Sequence, residues 1–149
     1  MTTPTKPGTV ETPTHLWILG GLSLLWNSFG AFDYLVTQLR GEAYMSQFSA
    51  KQLDYFYSFP AWADAAWALG VWGCVLGSVG LLLRQRWATW AFAVSIAGLA
   101  GSSIYTMALT DGTAVMGGVG ALIFSAVIWF ITLALFFYAR SMAVRGVLR

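Results

Sequence analysis

The sequence predicts an all-α membrane protein: an antiparallel bundle of four transmembrane helices, with a short interfacial helix in the first outer loop. Three observations lead there. The 149 residues are 58% hydrophobic and 9% charged, whereas roughly a quarter of the residues in a soluble domain are charged. Four apolar runs are each long enough to cross a hydrocarbon core of about 30 Å. The Lys and Arg residues collect at the ends of those runs and leave their interiors free of positive charge. A lipid-facing exterior lets such a chain keep its apolar surface out of water. The net charge of +2 therefore does not point to nucleic acid, and the lipid bilayer is the expected partner.

Residues 1–14, MTTPTKPGTVETPT, hold three of the four prolines and read as a disordered cytoplasmic tail. The apolar run that follows is too long for the core of a removable leader and contains Asp33, so it is read as retained. It gives the first span, about 15–36. Residues 38–59 form the longest connection. Within it, Ser49 and Gln52 have the spacing of a capping box and predict a helix over about 50–58. Its Leu53, Phe56 and Tyr57, with Tyr44, Phe48, Tyr55 and Phe59, suit a segment lying in the interface. Pro60 fits the first turn of the next helix. The second span, about 60–83, ends at Arg84-Gln85-Arg86, and the third covers about 87–109. Asp111-Gly112 supplies a turn before the fourth, about 114–138.

Four spans place Lys6, Arg84, Arg86, Arg140, Arg145 and Arg149 on one side, against Arg40 and Lys51 on the other. The positive-inside rule then puts both termini in the cytoplasm, and the expected home is a bacterial inner membrane. The chain has one cysteine, Cys74, and one histidine, His15, too few for a metal site built from those residues. No metal, cofactor or catalytic residue is expected. Gly117-Gly118-Val119-Gly120 follows no strand, which removes a nucleotide-loop reading.

The residues with chemistry lie mostly in the first run. At about 100° per residue, Trp26, Asn27, Gly30, Asp33, Tyr34 and Thr37 share one helical face, extended by Ser23 and His15. Asp33, Asp64 and Tyr105 each fall about seven residues outward of their span midpoints, or about 10 Å above the midplane. The expected site is an outward-facing polar pocket lined by Asp33, Asp64, Asn27, Tyr34, Tyr105, Trp26 and Trp67. Two acids there would bind a cation or a polyol, or share a proton. The plainer alternative leaves them hydrated near the headgroups, or held by Arg40. Asn27 has two readings, a ligand contact or a hydrogen bond between helices. Ala66, Gly70, Gly73, Gly77 and Gly80 form a small-residue stripe that some helix must approach closely, from this chain or a second copy.

The run Trp26-Asn27-x-x-Gly30-x-x-Asp33-Tyr34-x-x-Thr37, the Tyr44 loop, Tyr55-x-Tyr57-Ser58-Phe59-Pro60-Ala61-Trp62 and Gly70-Val71-Trp72-Gly73 resemble a family of small bacterial inner-membrane proteins. Genome annotation often labels that family "sugar transporter". The resemblance implies a four-span fold and a small, sugar-like solute. Transport through so few spans would need a homo-oligomer. The alternative is an accessory or assembly subunit of a larger membrane complex, with no chemistry of its own. An enzyme is not expected, since two aspartates without a nucleophile or metal ligands make a thin active site.

Overall fold

The computed structural model describes residues 10–149, and all of its regular structure is helical. Helix α1 runs Thr14–Gln38, α2 Glu42–Met45, α3 Ala50–Tyr57, α4 Ala61–Leu82 and α5 Trp87–Ile104. The last turn of α5 widens into a π-turn over Tyr105–Leu109, followed by α6 (Gly112–Val115) and α7 (Val119–Val144). Residues 1–9 of the expected tail lie outside the described residues.

Among the described residues three helices, not four, are long and apolar enough to cross a membrane: Ala61–Leu82, Trp87–Leu109 and Val119–Val144. This corrects the four-span bundle. The first run has the length, since α1 is 25 residues long, but not the hydropathy. Asn27 and Asp33 sit in its second half, and Ser23, Ser28 and three glycines dilute the rest. An aspartate at the centre of a spanning helix costs about 2.5–3.5 kcal/mol, as much as several leucines return, and Asp33, nearer one end, costs part of that.

α1 instead lies antiparallel along α4 for its whole length. Gly20 meets Leu82 near one end, Asn27 meets Ser78 in the middle, and Gln38 meets Asp64 at the other. Its buried side is mostly small or polar: Gly20, Ser23, Asn27, Ala31 and Thr37. Ile18, Leu22, Leu25, Phe29 and Phe32 are exposed on its other faces.

α4 and α5 form the tightest pair. Side chains added at Gly73, Gly77 and Gly80 would strike Ser95, the Phe92 ring and Ala88, and one at Gly70 would crowd the α5 backbone. The glycine stripe is therefore taken up by α5 within the same chain, and is not free for a second copy. α7 packs mainly on α5, touches α4 and α1 through Thr132 and Phe124, and leaves Ile123, Phe124, Phe130 and Phe137 exposed, Phe130 to 74%.

The core lies toward one end of the bundle, where Leu16, Leu81, Phe92, Leu135 and Met142 meet Val147 and Leu148 of the C-terminal tail. Two backbone hydrogen bonds fasten that tail to the α4–α5 hairpin, Arg149 N to Arg84 O (2.7 Å) and Arg86 N to Arg149 O (2.9 Å). Val10 approaches Gly146 at the same end. The five arginines Arg84, Arg86, Arg140, Arg145 and Arg149 are thereby grouped at one end, and Asp33, Asp54, Asp64 and Asp111 belong to the other.

Candidate functional site

The acidic end is assembled from the loop inward. α1 stops because Arg40 takes a left-handed conformation (φ 52°), which lets Gly41 N bond back to Val36 O at 3.0 Å. The chain then doubles over α1, and short helix α2 delivers Tyr44 to it. Tyr44 Oη donates to Asp33 Oδ1 at 2.5 Å. Its phenol is pushed up to about 12, first by that hydrogen bond, then by burial and the negative charge of Asp33. Arg40 does not reach the acids, because its guanidinium lies over the Tyr57 ring at 4.3 Å.

α3 begins with the formed Ser49–Gln52 capping box and lies across the ends of α5 and α6. Gln52 Nε2 donates to Val115 O at 3.3 Å, and Tyr55 Oη lies 3.0 Å from Thr110 Oγ1. Thr110 in turn donates to Tyr105 O at 2.8 Å, taking up a carbonyl that the π-turn displaces. Tyr105 is 8% exposed, packed edge-on against Phe59 (4.7 Å between centroids) and Trp62 (5.6 Å). Trp67 meets Tyr34 edge-on at 5.0 Å and stacks on Phe56 at 6.4 Å. A layer of aromatic rings thus closes this end of the bundle.

Each of the seven residues expected to line a pocket has its own place. Asp33 is held by Tyr44 on the loop, and Asp64 accepts a hydrogen bond from Gln38 at the last position of α1. Tyr34 and Trp67 pack on each other, and Tyr105 sits under α3. Trp26 is partly exposed and tilts against Phe124 of α7 at 6.5 Å. Asn27, 8% exposed, donates through Nδ2 to Ser78 Oγ (3.0 Å) and Cys74 O (3.3 Å). This is the interhelical reading of Asn27.

A row of small polar groups extends that tie through the middle of the bundle. Ser78 donates to Cys74 O, Cys74 Sγ lies 3.0 Å from Ser95 Oγ and 3.7 Å from Thr132 Oγ1, and Ser95 donates to Gly70 O at 2.5 Å. α1, α4, α5 and α7 all contribute. Sequence reasoning does not connect Cys74 to Ser78 or Ser95. The signal available was a serine or threonine inside each apolar helix: Ser78 in α4, Ser95 in α5 and Thr132 in α7. Gln38 was also missed, because its partner comes from another helix.

Two hollows lie elsewhere on the bundle, and none of the seven residues expected to line a pocket borders either. One, of about 290 Å³, is walled by Leu69, Trp72, Leu76, Trp90 and Val94. The other, of about 190 Å³, lies between α5 and α7 and is lined by Thr89, Trp90, Ala93, Phe136 and Arg140.

The Tyr44–Asp33 bond predicts a spectroscopic signature. In an ultraviolet pH titration one phenol should ionise near 12, about two units above an ordinary tyrosine, and Tyr44→Phe should remove that late phase. Because the folded value is raised, the stability from this bond is fully present below about pH 10 and is lost as pH rises through 12.

No protein-family model matches the chain, and no curated protein or solved structure does either.

Proposed function

We propose that this chain is an accessory or assembly subunit of a larger membrane complex in a bacterial inner membrane, oriented with its arginine-rich end toward the cytoplasm. The observation behind this reading is that the polar groups expected to meet a solute are engaged within the chain. Asn27 is bonded to α4, Asp33 to Tyr44 and Asp64 to Gln38. The surface left over is apolar, on α1 and α7 above all, and suits lipid or the spans of neighbouring subunits. Five arginines at one end, against Arg40 and Lys51 at the other, support the orientation.

A sugar-like solute is the second reading. It draws on the resemblance of the 26–62 segment, and on Asp64 standing one helical turn from Trp67 in an aromatic layer. One purification separates the two. In mild detergent, a subunit co-purifies with an unrelated membrane protein in fixed stoichiometry, and vesicles holding the chain alone take up sugars no faster than empty ones. A clean homo-oligomer with saturable uptake, abolished by Asp33→Asn, would favour the solute reading and overturn the first.

A further inference from the structure

We propose that the hollow between α5 and α7 at the arginine-rich end binds the phosphate of an anionic phospholipid. It is lined on its polar side by Arg140 and Thr89 and on its apolar side by Trp90, Ala93 and Phe136. The Thr89 hydroxyl is buried without a hydrogen-bond partner, an unusual state for a residue that could bond its own helix backbone. A second orphaned donor, Arg84 Nη2, lies at the same end of the bundle. A rotation of the Thr89 side chain would turn this hydroxyl to a phosphate oxygen in the hollow, and Arg140 presents a planar fork of donors suited to the same group.

The surroundings select a lipid over free phosphate. The hollow sits where α5 begins and α7 nears its end, at the boundary of two membrane-length helices. Trp90 is 76% exposed beside it, and an indole at that boundary suits the headgroup level. Basic pockets between helices on the cytoplasmic side are where anionic headgroups bind. At about 190 Å³ the hollow has room for a phosphate and the first carbons of its ester, with the acyl chains lying outward along Trp90 and Phe136. The inference rests on the membrane setting proposed above, and not on any partner subunit.

The test is native mass spectrometry of the full chain in mild detergent, with phosphatidylglycerol or phosphatidylcholine added. One phosphatidylglycerol should be retained in preference to phosphatidylcholine. Arg140→Gln should weaken that retention about five- to tenfold and Thr89→Val about two- to fivefold. Arg145→Gln removes the same charge from the same end outside the hollow, and should cost about twofold or less. Millimolar inorganic phosphate should not displace the lipid. Equal loss in Arg140→Gln and Arg145→Gln would overturn the site in favour of diffuse attraction, as would retention without preference for charge. Displacement by inorganic phosphate would assign the site to a free anion. Failure of the membrane setting reads differently, as a chain recovered without detergent.

Discussion

Gly98→Val should abolish the close pairing of α4 and α5 and leave little folded protein. A Cβ at position 98 would stand 2.4 Å from Gly70 N and 2.6 Å from Ala66 O, with Leu69 C at 2.9 Å. These are backbone atoms, so no rotamer change relieves the clash and the helices must separate. Overpacking a tight core typically costs about 1–3 kcal/mol. A branched side chain against backbone on three sides belongs at or above the top of that range. The loss does not stop at one contact, since Gly70, Gly73, Gly77 and Gly80 all depend on the same approach. Gly30→Ala is the matched control. Nothing lies within 4 Å of its added carbon, and α1 should gain about 0.5–1 kcal/mol from the better helix former. Thermal unfolding in detergent distinguishes the two.

Asn27→Leu should release α1 while leaving the α4–α5 pair intact. The substitution keeps side-chain bulk but removes both hydrogen bonds to α4, the one to Ser78 Oγ and the one to Cys74 O. Interhelical hydrogen bonds of this kind are worth about 0.6–2 kcal/mol each. α4 loses no partner of its own, because Ser78 still donates to Cys74 O at 2.9 Å. The effect should therefore be local: amide exchange over Thr14–Gln38 rises several-fold, and protection in α4 and α5 stays near wild type. Uniform loss of protection would mean that α1 is required for the pair to form.

Much of this architecture is legible in the residues, and the failures have identifiable causes. The apolar runs mark the long helices, and Ser49 with Gln52 marks the start of α3, because these signals are local. The glycines of α4 announce a close approach but not its partner, which depends on how the hairpin at Arg84 folds α5 back. Length alone makes α1 a span, whereas Asn27 and Asp33 make it the polar member of the bundle, placed by α4. Spacing sets Asp33 and Asp64 at one depth, yet the residue of α1 that meets Asp64 is Gln38, five positions beyond Asp33. That a loop tyrosine would take one and Gln38 the other was not readable from spacing, since both donors arrive through tertiary folding. The burial of Val147 and Leu148 likewise had no periodic signal to announce it.

The central claim is that the polar face of α1 is spent on α4 and leaves no room for a solute. It is tested most directly by pairing Gly20→Cys with Leu82→Cys in a Cys74→Ala background, which leaves the side chains of Asn27 and Ser78 in place, and oxidising mildly in native membranes. A Cβ at position 20 would stand 3.1 Å from Leu82 Cγ, where a cysteine carries its sulfur, so an intramolecular disulfide should form. Both thiols should resist a membrane-impermeant maleimide before oxidation. Poor cross-linking, with both thiols labelled from the aqueous side, would reveal a water-filled cavity between α1 and α4 and contradict the account.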